Sequence, residues 1–261
     1  MPSSVRVVRQ PRKSGPRPSA CVGCGACLTV APGARASEYA GKRHVDVRTL
    51  AGDSKGGRAA VAACPTHALT CTGKTKTVDE VLDVCLQDRP FYEDSGGEAL
   101  IWPHFCEELL ERLHAQGIDT CVETEAYVEP GTFQHIASML DHMLIDLKHV
   151  NSSKLREHTG AKNDLMLQNL AWALDHHPDV TPRTPVIPGF NDGLEEARAM
   201  ARWIRQVGGT RVQLLPFHNF GEGKYALIDK PYALHGMANL RPDDLADYRQ
   251  VYLDEGVEAF F

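Results

Sequence analysis

The sequence predicts an α/β protein, a partial, open barrel of parallel β/α units with a small cysteine-rich segment on its N-terminal side. Three observations predict it. From Thr77 onward, strand-like runs alternate with amphipathic stretches of about 10–15 residues, the pattern of parallel β/α units. These units, roughly four or five, are too few for a closed eight-fold barrel. Residues 21–72, by contrast, are rich in cysteine, glycine and alanine and show little periodicity.

Taken in order, "TVDEVLDVCLQDR" (77–89) opens with a Thr77/Glu80 capping box and carries helical apolar spacing. "PHFCEELLERLHAQG" (103–117) has Pro103 suited to a first helical turn and Gly117 to a C-terminal stop. "IDTCVET" (118–124) reads as a strand and "TFQHIASML" (132–140) as a helix. "HMLIDLKH" (142–149) is a strand, followed by helical "NDLMLQNLAWALDHH" (163–177). "VTPRTPVIP" (180–188) is extended and "GLEEARAMARWIRQVGG" (193–209) strongly amphipathic. "TRVQLLPFH" (210–218) is another strand and "PDDLADYRQVYLDEG" (242–256) a last helix. The expected organisation is a basic tail over 1–20, a cysteine-rich segment over 21–76 and the β/α region over 77–261.

Polar residues collect where these strands end: Glu123 and Thr124, Asp146 and Lys148, Arg183, and His218. Any one alone is more often a structural polar group. Successive strands ending this way favour a ligand site, because the βα loops and helix N-termini of such folds converge at that rim.

Composition excludes several classes. A hydrophobic content of 43% with 24% charged residues is ordinary for a globular chain. No apolar run approaches the roughly 18 residues of a membrane span, and the N-terminus lacks a secretory signal's apolar core, so a cytoplasmic protein is expected. The net charge of -6 is unlike a general nucleic-acid binder. Arg6, Arg9, Arg12, Lys13 and Arg17, set among proline, serine and glycine, read as a solvated, disordered tail.

Eight cysteines in such a chain point to metal rather than disulfides. Cys21, Cys24 and Cys27 are each separated by two residues, and Cys64-Pro65 follows after a long gap. Ala31 stands where a bacterial ferredoxin run would place its fourth cysteine. The four thiolates suit a [4Fe–4S] cluster, with small residues letting backbone N–H groups approach the sulfides. Tetrahedral zinc is the alternative, although it usually uses two separated C-x2-C pairs. Cys71, Cys85, Cys106 and Cys121 are scattered singly and read as small buried hydrophobes.

The motifs "AACPTHAL", "TVDEVLDVCLQDRPFYEDSGG", "CVETEAY", "IDLKHV", "HTGAKNDLMLQNL", "RTPVIPGFND" and "QLLPFHNFGEGKY" together resemble the glycyl-radical-enzyme activating enzymes. This radical S-adenosylmethionine (SAM) family includes pyruvate formate-lyase activating enzyme. The resemblance runs in the family's order from about Cys21 to Tyr232. It implies a partial (β/α)6 radical-SAM barrel with a ferredoxin-like insert, holding SAM against a [4Fe–4S] cluster. A 5′-deoxyadenosyl radical formed from SAM would take hydrogen from a glycine of a partner glycyl radical enzyme. An electron donor such as flavodoxin or ferredoxin is implied as well.

Carried over residue by residue, Asp146 and Lys148 match the family's D-x-K motif and His218 its L-P-x-H motif, both SAM contacts. Arg183 matches the arginine before P-V-I-P-G, expected near the SAM carboxylate. Gly96, Gly97 and Glu98 match the motif that binds the SAM amino group. Glu123 and Thr124 match a pair that, with Asp146, can hold a monovalent cation. Lys224 and Tyr225 match a terminal motif of unassigned role.

Two departures stand beside these matches. The C-x3-C-x2-C motif that opens one iron to SAM is absent, since no cysteine precedes Cys21. The glycine clusters are fused at Ser95-Gly96-Gly97-Glu98, and a strand is expected to be missing with them. Cys21, Cys24 and Cys27 therefore read as insert ligands completed by Cys64, and no catalytic residue is assigned. The expected function is an activating enzyme by descent, in a truncated or frame-disrupted copy. The alternatives are a non-catalytic iron–sulfur carrier or partner-binding remnant, and a zinc-stabilised structural protein. Missing strands would also expose sheet edges, so aggregation or partner dependence is expected.

Overall fold

The computed structural model describes residues 14–16, 20–31, 35–39, 42–45, 55–71, 76–87, 98–222, 225 and 232–261. The basic tail through Lys13, Gly96, Gly97 and Lys224 lie outside the described residues, as do the side chains of Cys71 and Cys85. The chain forms two compact units, one from Thr77–Phe217 with Asn239–Phe261, the other from Arg6–Lys76 with His218–Ala238.

The cysteine-bearing unit is built from short pieces. Strand β1 (Ser14–Pro16) pairs antiparallel with β4 (Leu69–Cys71), and β2 (Ala36–Tyr39) with β3 (Lys42–Val45). Helix α1 (Ala26–Thr29) follows the Cys21–Cys24 turn, and α2 (Lys55–Ala62) precedes Cys64. Their small core is Ala31, Val45, Ala60 and Leu69. The hairpin and α2 are not visible in the sequence pattern. Strands of four residues are too short to display an alternation, and α2 is mostly glycine and alanine.

The larger unit begins with α3 (Val78–Gln87), started by the expected capping box. The Thr77 amide donates to Glu80 Oε2 at 2.8 Å and the Glu80 amide to Thr77 Oγ1 at 3.2 Å. A 3-10 turn, Ala99–Ile101, leads into α4 (Pro103–His114), which Pro103 opens and Gly117, at φ 64°, ends. The succession is then β5 (Cys121–Thr124), α5 (Pro130–Ala137), β6 (His142–Asp146), α6 (Ser152–Thr159) and α7 (Asp164–His176). After these come β7 (Val180–Val186), α8 (Leu194–Gln206), β8 (Arg211–Pro216), α9 (Ala246–Asp254) and β9 (Glu258–Phe260).

Strands β5 to β9 make one parallel sheet in the order β5-β6-β7-β8-β9, open rather than closed. One face carries Val122, Met143, Ile145, Val212 and Leu214, packed beneath the helices with Phe133, Leu170, Ile204 and Tyr252. The other face carries the alternate residues and is less buried. Two elements go beyond the sequence reading. Helix α6 buries only Leu155 and so has no apolar stripe, though Asn151 caps it by accepting from the Ser153 and Lys154 amides. Strand β9 is three residues that gain a partner only against β8.

Candidate functional site

Sheet register builds the site. Asp146 on β6 lies directly beside Arg183 on β7, which lies beside Gln213 on β8, which lies beside Phe260 on β9. Strand alternation puts Glu123 on the same face, and Glu125 and Lys148 continue that face past the ends of β5 and β6. Arg183 Nη1 lies 2.6 Å from Glu123 Oε1. Lys148 Nζ pairs with Glu125 and stands 3.7 Å from Asp146 Oδ2. Burial raises the Asp146 carboxyl above its usual range, Lys148 and Arg183 pull it back, and Glu125 and Glu123 push it up further. Arg183 Nε is buried without a hydrogen-bond partner among the described residues.

Glu98 occupies the neighbouring corner. Its carboxylate accepts from Thr124 Oγ1 at 2.7 Å, the Glu125 amide at 2.9 Å and the Leu100 amide at 3.2 Å. It therefore ties the 3-10 turn to the end of β5. Glu123 and Thr124 are successive strand residues, so their side chains fall on opposite faces. One reaches Arg183 and the other Glu98, and the structure does not bring the two together. His218 belongs to the other unit, where its ring tilts against Phe220 at a centroid distance of 4.6 Å. Tyr225, also there, lies 5.0 Å from the Tyr232 ring.

Among the cysteines, Cys24 is exposed and Cys21, Cys27 and Cys64 are part-buried, all with free thiols. Gly23 and Gly25 both take φ 74°, the left-handed turn that lets this loop double back. Cys27 and Cys64 pack against the same small core. Burial would raise the Cys64 thiol. The Leu69 amide, the Thr66 hydroxyl and the Thr66 and Ala68 amides outweigh it and leave the thiol lowered. That ring of donors suits a thiolate ligand. Among the described residues no group of three or more His, Cys, Asp or Glu side chains is yet gathered as a metal site.

The scattered cysteines divide. Cys106 is part-buried against the main core and donates to the Ala99 carbonyl at 3.1 Å. Burial and then Glu98 push its thiol up to about 11. Cys121, expected to be buried, is exposed, because it starts the end strand of the described sheet on that sheet's less buried face. Glu125 and Gln213 are site residues the sequence reading missed. Glu125 continues the Cys121–Glu123 alternation and could have been found that way, whereas Gln213 joins the row only through register.

No family model matches the chain. It is 34% identical to the choline trimethylamine-lyase activating enzyme of Oleidesulfovibrio alaskensis over 86% of this chain and 76% of that protein. Identity to the isethionate sulfite-lyase activating enzyme of Desulfovibrio desulfuricans is 37%, over 79% of this chain and 69% of that one. The 4-hydroxyphenylacetate decarboxylase activating enzyme of Clostridioides difficile is 31% identical over 77% of this chain, which spans just under two thirds, 66%, of it. This chain belongs to the radical SAM activating enzymes of glycyl radical enzymes.

Solved structures agree on the fold. A domain of pyruvate-formate lyase-activating enzyme from Bacteroides vulgatus superposes with a TM-score of 0.53 at 23% identity, covering 64% of this chain and 94% of that domain. A radical SAM methyltransferase from Sphaerobacter thermophilus gives 0.51 at 14% identity, over 77% of this chain and 60% of that one. The open parallel sheet is thus a radical SAM partial barrel. Family membership implies SAM and iron–sulfur chemistry, and no described helix is long and apolar enough to cross a membrane.

Proposed function

We propose that this chain binds SAM on the face formed by Glu123, Asp146, Lys148 and Arg183, and serves the activation of a glycyl radical enzyme. The observation that supports this best is the row Asp146–Arg183, with Arg183 part-buried, paired on one side and holding a buried Nε that has no partner among the described residues. SAM presents a carboxylate, an ammonium and a sulfonium. Arg183 supplies donors for the carboxylate, and Glu123, Glu125 and Asp146 supply acceptors for the positive groups. Glu98, with Gly96 and Gly97, is assigned to the ammonium end. His218, matched to the family's L-P-x-H motif, is proposed as a SAM contact.

Cys21, Cys24, Cys27 and Cys64 are proposed to hold a [4Fe–4S] cluster, fitted by the soft donor set and by the amides around Cys64. Such a cluster supplies one-electron chemistry. A flavodoxin or ferredoxin is the proposed electron donor. The second reading, a partner-binding iron–sulfur protein without SAM cleavage, is favoured by one observation. The cysteine spacing in this chain includes no C-x3-C-x2-C.

Anaerobic reconstitution followed by assay of 5′-deoxyadenosine from SAM, under a low-potential reductant, separates the two. Product would establish the enzyme. SAM binding without product, alongside about four irons per chain, would establish the second reading. In Cys64→Ala the iron content should fall well below that of wild type, and an unchanged iron content would remove Cys64 from the ligand set.

A further inference from the structure

Three asparagines in this fold are almost completely buried, Asn163 at 2%, Asn169 at 1% and Asn191 at 0% exposure. Each gives its side-chain amide to two main-chain carbonyls at the rim of the sheet. Asn169, on α7, donates to Ala126 O and Val128 O, both 2.9 Å away, in the loop after β5. Asn163, just before α7, donates to His149 O at 3.0 Å and Val150 O at 2.9 Å, in the loop after β6. Asn191 differs from both. It donates to Lys148 O at 2.8 Å and Pro185 O at 2.9 Å, and its own Oδ1 accepts from the Ile187 amide at 2.7 Å. Asn169 and Asn163 each pin one loop, whereas Asn191 joins two, the one carrying Lys148 and the one that follows Arg183.

The sheet ladder between β6 and β7 ends where the Leu147 amide donates to Arg183 O at 2.7 Å. Beyond that point no backbone bond among the described residues holds Lys148 in step with β7. Asn191 supplies the missing rung. Two donors and one acceptor in one plane match two carbonyls and one amide, and no other uncharged side chain of that size offers this set. Removing it would leave three part-buried main-chain groups at the site's edge without this partner.

We propose that Asn191 is a positioning residue. It locks Lys148 and the β7 rim into one rigid body, so that Lys148, Asp146 and Arg183 meet an α-amino-acid sulfonium ligand at a fixed spacing. This rests on the reading that SAM binds to that face.

The test uses the full chain, reconstituted, as wild type, Asn191→Ser and the matched control Asn169→Ser, each keeping a small polar group. Two quantities are measured: amide hydrogen exchange by mass spectrometry, and the dissociation constant of SAM by equilibrium dialysis. In Asn191→Ser, exchange should rise together at 147–150 and 187–190, and SAM affinity should fall about ten-fold. In Asn169→Ser, exchange should rise at 126–128 only, with affinity within about two-fold of wild type. Equal loss of affinity in both variants, or faster exchange at 187–190 alone, overturns the proposal.

Wild-type protein gives a second reading that needs no variant. The Asn191 side-chain amide protons and the backbone amides of 147–150 and 187–190 should share one opening rate. Distinct rates overturn the coupling. Failure of wild type to bind SAM would overturn the SAM reading instead, and the exchange data would still decide whether the two loops move as one.

Discussion

At the N-terminal end of the five-stranded sheet, Asp141 and Asp179 are both engaged by their neighbours. Asp141 accepts from the Thr120 amide at 2.8 Å and the Thr120 hydroxyl at 2.9 Å and lies 3.0 Å from His114, while Asp179 is held by His142 and Arg211. At the C-terminal end, Asp146 is raised by burial, Arg183 keeps an unpartnered Nε, and three carboxylates, Glu123, Glu125 and Asp146, face the two cations Arg183 and Lys148. The same sheet thus has a closed electrostatic base and an open rim. The base is arranged for stability, and the rim retains hydrogen-bonding capacity for something outside the chain, as expected where βα loops gather.

The sharpest way to break this contrast is to truncate one residue at each end. Arg183→Ala should lower SAM affinity about 100-fold, since it removes a part-buried, charge-assisted donor set. Its thermal midpoint should move little, because Glu123 is left half-exposed in water. Unchanged SAM affinity would refute the rim as a binding face.

Asp141→Asn should do the reverse, leaving SAM affinity intact and lowering stability by on the order of 1 kcal/mol, a figure reduced for a carboxylate screened by solvent. The Asp141 carboxyl lies at about 2, lowered first by the Thr120 amide, then by the Thr120 hydroxyl and His114. A folded-state value below the unfolded one near 4 means that the stabilisation is present above pH 4 and is lost as pH falls through 2. Melting curves of both proteins from pH 7 down to 2 should therefore converge at the acid end, and parallel curves would count against it.

The smallest effect belongs to His142, whose pKa is raised first by its hydrogen bond to Asp179. Its contribution is complete below about pH 6.5 and fades as pH rises through the folded-state value. A slight fall in wild-type Tm between pH 6 and 9, absent in His142→Gln, would show it. An identical pH slope in the two proteins would assign the Asp179 interaction to Arg211 alone.

The strands and helices of the larger unit were legible because each has a signal within its own span. Thr77 and Glu80 announce α3, Pro103 and Gly117 bound α4, and α8 carries a strong apolar stripe. Asp146, Lys148 and Arg183 were legible as strand-end polar residues and as motif matches. What was hidden depends on partners distant in sequence. The clamps of Asn169 span more than forty residues, Gln213 enters the site only through register with Arg183, and β9 exists only against β8. Opposite side-chain directions at Glu123 and Thr124 follow from alternation, and a motif pair read as a unit conceals them.

The strand order carries a consequence for how the protein is made. Each strand of the large sheet pairs with the next one in sequence, from β5 through β9. A ribosome releasing this chain delivers the strands in the order in which they pair, so the sheet can grow by one β/α unit at a time. The last unit delivered, α9 and β9, contributes the fully buried Tyr252 and Ala259. Until β9 emerges, β8 is a bare sheet edge, and three residues, Glu258–Phe260, are what covers it.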